Sequence, residues 1–169
     1  MADRAHPLAA FAALSPDCPA VQLAALPPVT RLIIRGNAAT LASIGPTLPD
    51  TCRATTFGAN ALLWLGPDEF LLLVSDGTVP PLAGTVDVSH RDTALTVSGP
   101  RAAWTINAFC ALDLHPTAFP VGMCTRTVFG KAEVVLWRTA IEAFRIEVAR
   151  SFAPYVWACL EEARREFLD

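Results

Sequence analysis

Residues 126–160, RTVFGKAEVVLWRTAIEAFRIEVARSFAPYVWACL, decide the fold. They read as two strands followed by a helix. Val134, Val135, Leu136 and Trp137 form a short apolar run, and Phe144, Ile146 and Val148 alternate with Arg145, Glu147 and Ala149. After Ser151 the spacing lengthens. Phe152, Tyr155, Val156, Cys159, Leu160, Ala163 and Phe167 recur at helical intervals, with Glu161, Glu162, Arg164 and Arg165 on the opposite side. Period two has given way to period 3.6. Ser151 is placed as the N-cap, and Pro154 falls in the first turn, where its missing N–H costs little. Glu161 with Arg165 makes an i, i+4 pair. The polar side carries both signs of charge, which predicts a helix docked on a sheet rather than laid on a membrane surface.

The order of elements in this stretch occurs earlier in the chain as well. TRLIIR at residues 30–35 is a strand, Gly36-Asn37 opens a short helix that stops at Gly45-Pro46, and residues 53–56, 61–65 and 70–74 follow as three strands. After a loop at 75–84, TALTVS at 93–98 is again a strand. Gly99-Pro100 opens a helix running to about Leu112, and 126–129, 134–137 and 144–148 are three more strands. Residues agree along with the order. Thr56-Phe57-Gly58 matches Val128-Phe129-Gly130, Leu62-Leu63-Trp64 matches Val135-Leu136-Trp137, and Phe70 matches Phe144, with an insertion at 115–122. This places Trp64 and Trp137 at equivalent points of an internal duplication. The fold class is therefore α+β, two pseudo-symmetric β-α-β-β-β halves at 29–84 and 85–169 with helices on one face of each sheet. Residues 1–28, rich in Ala and Pro, are expected to be an extended N-terminal arm of the kind that lies across a partner.

At 169 residues the chain suits one compact domain. It is 53% hydrophobic and 17% charged, against about 25% charged in an ordinary soluble domain. The surplus apolar area points to a large protein interface in preference to a merely Ala- and Leu-rich core. No charge-free run is long enough to span a membrane, the longest being 36–49 and 54–67. Net charge is -3 and Lys131 is the only lysine, which argues against a nucleic-acid partner. The five cysteines, Cys18, Cys52, Cys110, Cys124 and Cys159, are scattered without a CxxC pair. They are expected to be reduced thiols of a cytoplasmic protein rather than metal ligands. The apolar run near the N-terminus is too short, and its flanks too balanced in charge, for a secretory leader.

Few residues suggest chemistry. Asp87-Val88-Ser89-His90-Arg91-Asp92 gathers Ser, His and Asp, but neighbours on extended chain point to opposite sides and no GxSxG turn is present. A turn or strand-edge role fits better. Cys110 or Cys124 with His90 or His115 would be a thiol pair only if the fold brought them together. Glu133, the one acid near the second Phe-Gly turn, reads as a solvated strand position, and no phosphate-cradling glycine motif occurs. No catalytic, cofactor-binding or metal-ligating residue is assigned on this basis.

Val86-Asp87-Val88-Ser89-His90, Gly99 and the strand and turn at 126–130 resemble the folate-binding domain of the glycine-cleavage T-protein. The closer resemblance is to the gamma-subunit family of heterotetrameric sarcosine oxidases. It covers roughly 28–165 and is carried by GKAEVVLWR at 130–138, FRIEV at 144–148, the LGPDEF turn at 65–70 and, most specifically, RSFAPY at 150–155. The resemblance implies a structural subunit without catalysis of its own. The complex would oxidatively demethylate sarcosine to glycine, giving H2O2 and 5,10-methylenetetrahydrofolate. FAD, FMN, NAD, tetrahydrofolate and zinc would be held by alpha, beta and delta subunits. Where an aminomethyl-transferring T-protein carries tandem acids this chain has Phe129-Gly130-Lys131-Ala132-Glu133, so the proton transfer such acids supply is missing. A stand-alone folate-binding or aminomethyltransferase-like protein is the alternative. The expected interface residues are Asp87, Ser89, His90, Arg91 and Arg126.

Overall fold

The computed structural model describes residues 6–36, 47–75 and 84–168. In chain order these form α1 (Ala9–Leu14), β1 (Gln22–Ala25), β2 (Thr30–Arg35), β3 (Ala54–Phe57), β4 (Asn60–Gly66), β5 (Glu69–Val74) and β6 (Thr85–Asp87). Then come β7 (Asp92–Ser98), α2 (Ala102–Asn107), β8 (Cys124–Phe129), β9 (Ala132–Ala140), β10 (Ala143–Ala149) and α3 (Ala153–Arg164), closed by a 3-10 turn at Arg165–Phe167. The helix expected between Gly36 and Pro46, and most of the loop at 75–84, lie outside the described residues.

Two five-stranded sheets result, ordered β3-β4-β5-β2-β6 and β1-β7-β10-β9-β8, with every pairing antiparallel. The inner order repeats. β3-β4-β5-β2 corresponds to β8-β9-β10-β7, and the register slips once in each central hairpin, at Trp64/Gly66 and at Ala143/Phe144. The fifth strand of each sheet comes from elsewhere. β6, which leads into the second half, pairs with β2, and β1, which leads into the first, pairs with β7. Each half thus lends its leading strand to the other sheet, and the two form one body. Neither lender was expected as a strand, because three or four residues carry too little alternation to register as one.

Residues 6–28 fold back on the chain and do not stand off as an extended arm. Leu8, Cys18 and Val21 are buried in the chain's own core, against the outer face of the second sheet. Arg164, placed by its spacing on the solvent side of α3, is 1% exposed and holds this leader down. Its guanidinium donates to the carbonyls of Val21 at 3.0 Å and Pro16 at 2.9 Å, and to Glu161 at 2.8 Å. The buried face of α3 is accordingly Ala153, Val156, Trp157, Leu160 and Arg164, shifted from the expected stripe, while Phe152 is 44% exposed. The N-cap is Phe152 rather than Ser151, and the helix ion pairs are Glu161–Arg164 and Glu162–Arg165. Close approach of the leader depends on Gly99. At φ +119° this residue would place any Cβ 2.5 Å from the Ala20 carbonyl oxygen. α2 is shorter than expected, because the Asn107 amide donates to the carbonyls of Cys110 and Leu112 and curls the chain out of the helix.

The tryptophans of the two halves are not equivalent. Counted from the Phe-Gly turns, Trp64 corresponds to Leu136 and Leu65 to Trp137. A one-residue offset reverses a strand side chain's face. Trp64 packs on the outer side of the first sheet with Leu62, Phe70 and Leu72, whereas Trp137 lies between the sheets with Leu63, Leu65 and Leu73.

Between the sheets the packing is partly ionic. Arg31 of β2 and Glu147 of β10, only 2% and 3% exposed, meet with Nε 2.7 Å from Oε2. The other Glu147 oxygen accepts from Arg145 Nε at 2.7 Å, and Arg31 Nη1 also donates to the Val29 carbonyl at 3.1 Å. Removing one member of such a pair strands the other in low dielectric. Glu147→Ala is expected to lower unfolding free energy by about 3 to 5 kcal/mol in guanidinium titrations. A double-mutant cycle with Arg31→Met should show strong coupling, and additive effects would mean that the pair does not join the sheets.

Candidate functional site

The inner face of the second sheet runs past the end of the first and leaves a cleft of about 320 Å³ at the seam. Strand register explains its lining. Arg126 of β8 stands opposite Val135 of β9, and Val135 opposite Glu147 of β10. Ile33, Leu65 and Leu71 of the first sheet close the floor, and Arg91, Glu133 and Phe152 stand at the rim. Two pairs further along β8, on the same face as Arg126, Val128 lies opposite Glu133 and is 59% exposed. The ledge beyond the cleft therefore offers two uncovered apolar side chains, Val128 and Phe152, beside charged ones.

The charges at the seam are largely paired within the chain. Glu69, the first residue of β5, joins Arg126 across the two sheets and Arg35 at 2.8 Å on its own. The Arg126 hydrogen bond and the positive charges of Arg126, Arg35 and Arg91 hold its carboxyl below the ordinary range. Arg91 is forked onto Asp92, with Nε to Oδ1 at 3.1 Å and Nη2 to Oδ2 at 2.9 Å.

Of the five residues expected at an interface, Arg91 and Arg126 line the same cleft. Asp87 and Ser89 build the turn above it. The Asp87 carboxylate accepts the Ser89 N–H at 2.8 Å and is held below its usual range by the Ser89 hydroxyl and amide, while Ser89 Oγ accepts the Arg31 N–H at 2.9 Å. That serine hydroxyl thus pins the chain beside the buried Arg31. His90 is exposed in the same turn.

The thiol pairs are not assembled. Cys124 Sγ donates to the Trp64 carbonyl at 3.6 Å, Cys110 Sγ lies 3.9 Å from Thr127 Oγ1, and His115 bonds Thr117. Among the described residues no three His, Cys, Asp or Glu side chains converge as metal ligands would.

The turn that replaces the tandem acids of an aminomethyl-transferring protein is occupied structurally. Gly130 has φ +57°, and a Cβ there would fall 2.3 Å from the Tyr155 hydroxyl, which accepts the Lys131 N–H at 3.2 Å. Gly130 and the RSFAPY segment thus fit one another. Glu69, Val128 and Phe152 escaped the sequence reading as site residues. The Glu69–Arg126 contact joins residues 57 positions apart, and only Phe152, an aromatic at a helix start, carried a local signal.

The described residues thus form a pseudo-symmetric pair of antiparallel sheets, with a cleft braced by its own ion pairs and an uncovered apolar ledge beside it. Their fold is that of a T-protein folate-binding domain. The glycine cleavage system aminomethyltransferase T from Bartonella henselae superposes with a TM-score of 0.60 at 11% identity, covering 90% of this chain and 48% of that one. The chain belongs to the sarcosine oxidase gamma subunit family, whose signature matches residues 81–166. It is 33% identical over 144 residues to sarcosine oxidase subunit gamma from Arthrobacter sp., covering 78% of this chain and 71% of that one. It is 34% identical over 146 residues to the same subunit from Corynebacterium sp. (strain U-96), covering 78% and 70%. A chain of the heterotetrameric sarcosine oxidase from Corynebacterium sp. U-96, solved in complex with pyrrole 2-carboxylate, superposes with a TM-score of 0.87 at 30% identity, covering 98% of this chain and 97% of that one.

Because Glu69 is more acidic in the folded chain than its unfolded value of about 4.3, its pairs add stability that is complete above that pH and fades as pH falls through the folded pKa. Glu69→Gln should therefore lower stability at pH 7, by no more than about 1 kcal/mol since Arg126 and Arg35 are partly solvent-screened. It should also flatten the fall of the urea midpoint below pH 4.3. An unchanged acid limb would remove Glu69 from the seam.

Proposed function

We propose that this chain is the non-catalytic gamma subunit of a heterotetrameric sarcosine oxidase, a scaffold that docks against larger redox chains. The end-to-end superposition on a chain of such a heterotetramer carries the reading. In it the complex oxidatively demethylates sarcosine to glycine, with formation of H2O2 and 5,10-methylenetetrahydrofolate. The partners are alpha, beta and delta subunits, which hold FAD, FMN, NAD, tetrahydrofolate and zinc. The complex works in the cytoplasm. No helix among the described residues is long and apolar enough to cross a bilayer.

The stand-alone aminomethyltransferase-like alternative is disfavoured. The aminomethyltransferase shares the fold at 11% identity and this chain spans under half of it, whereas the gamma subunits match over most of both chains.

The docking surface is the ledge at the seam, Arg91 and Arg126 with Val128 and Phe152, bordered by the turn that bears Asp87, Ser89 and His90. Exposed apolar groups beside a charged rim have the composition of an interface core and its edge. Phe152→Asp combined with Val128→Asp should weaken co-purification with co-expressed partner subunits at least about tenfold, equivalent to about 1.4 kcal/mol. Trp104→Ser, on the opposite face of the second sheet, should leave it intact. Full recovery of the complex with the double variant would move the interface elsewhere. A chain that never co-purifies with such partners, wild type included, would overturn the reading as a whole.

A further inference from the structure

We propose that Cys52 and Cys124 are a thiol-oxidation site, which a hydroperoxide joins into a disulfide stapling the free edges of the two sheets. β3 is the edge of the first sheet and β8 the edge of the second. The chain touches itself between them. Arg53 and Met123 form an antiparallel bridge, flanked by Ala54 N–H to Gly122 O at 2.8 Å and Cys124 N–H to Cys52 O at 2.9 Å. Cys52 and Cys124 therefore stand opposite one another, and antiparallel pairs hold their Cα atoms about 4.5 to 5.5 Å apart. That separation lies inside the range a disulfide spans.

The second observation concerns the backbone. Among the described residues, Cys52 is the one residue other than glycine with positive φ, at 57°. Holding a cysteine in the left-handed region costs sterically what a glycine would avoid, and strain of this kind marks sites retained for their side chain. The other thiols are placed differently: Cys18 bonds the Phe167 carbonyl, and Cys110 approaches Thr127.

The two members differ in access. Cys52 is half-buried and open to an oxidant, whereas Cys124 is buried and burial pushes its thiol up to about 12. The Cys52 thiolate attacks the peroxide, the O–O bond breaks, and an alcohol, or water from hydrogen peroxide, leaves as Cys52 becomes a sulfenic acid. Cys124 then turns from the Trp64 carbonyl, its sulfur attacks the sulfenic sulfur, and its proton departs with the hydroxyl as water. Two thiols are oxidised by two electrons and one peroxide is reduced. The site stands on this geometry whether or not the chain works beside a peroxide-producing enzyme.

The test uses the full chain, alone and co-purified with partner subunits, titrated with hydrogen peroxide. Free thiols are then blocked under denaturing conditions and the digest is mapped by mass spectrometry. The expected result is a Cys52–Cys124 linked peptide as the main oxidised product, reversed by dithiothreitol, with Tm raised by roughly 5 to 15 °C. Cys52→Gly relieves the backbone and should fold, yet lose both the link and the Tm rise. Cys52 accumulating as sulfinic acid with Cys124 still alkylatable, or linkage of any other pair as the main product, would overturn the proposal.

Discussion

The contact between Arg31 and Glu147 is the constraint on which the arrangement of the two sheets depends. Each charge sits on the inner face of a different sheet, and neither could be desolvated without the other. Around it the inter-sheet layer is apolar, with Leu63, Leu65, Leu71 and Leu73 facing Trp137 and Cys124. An apolar layer alone would tolerate sliding. A buried ion pair in which Glu147 also accepts from Arg145 and Arg31 also donates to the Val29 carbonyl fixes one register, as polar groups in other cores do.

The exchange of leading strands adds a second constraint on the same seam. Because β1 belongs to the second sheet and β6 to the first, the halves cannot separate without breaking backbone ladders in both. The turn after β6 then delivers Ser89 to the backbone N–H of Arg31, so the strand exchange and the ion pair brace each other. The ledge that the proposed function uses follows from this geometry. The first sheet is held where it covers only part of the second, and Val128 and Phe152 are left beyond its edge.

Two more buried arginines do similar work on the outer side. Arg138, 3% exposed, donates to the carbonyls of Leu114 and Phe119 at 3.1 and 2.8 Å and to that of Ile141, and its guanidinium lies 4.9 Å from the Phe144 ring centre. It ties down the insertion that distinguishes the second half from the first. Arg164 does the same for the leader. In both cases a guanidinium with five fixed donors satisfies loop carbonyls that have no ladder to join. A chain in which charged residues are scarce thus uses several of them as internal fasteners.

The strands were legible from the sequence because each needs only its own alternation. TRLIIR, the Phe-Gly hairpins and FRIEV are set by local period, and their repetition gave the duplicated α+β class. The family resemblance rests on equally local motifs, Gly130 and Tyr155 among them. The partners of those elements were not legible. Glu147 alternates as an outward residue would, and becomes buried only because a second sheet covers that face. Arg164 reads as a solvent residue until the leader folds over it, and Trp64 and Trp137 look equivalent until pairing register shows them on opposite faces. Local spacing determines which strands and helices form. Which of their faces meets water depends on what arrives from a hundred residues away, and that was decided only by the tertiary structure.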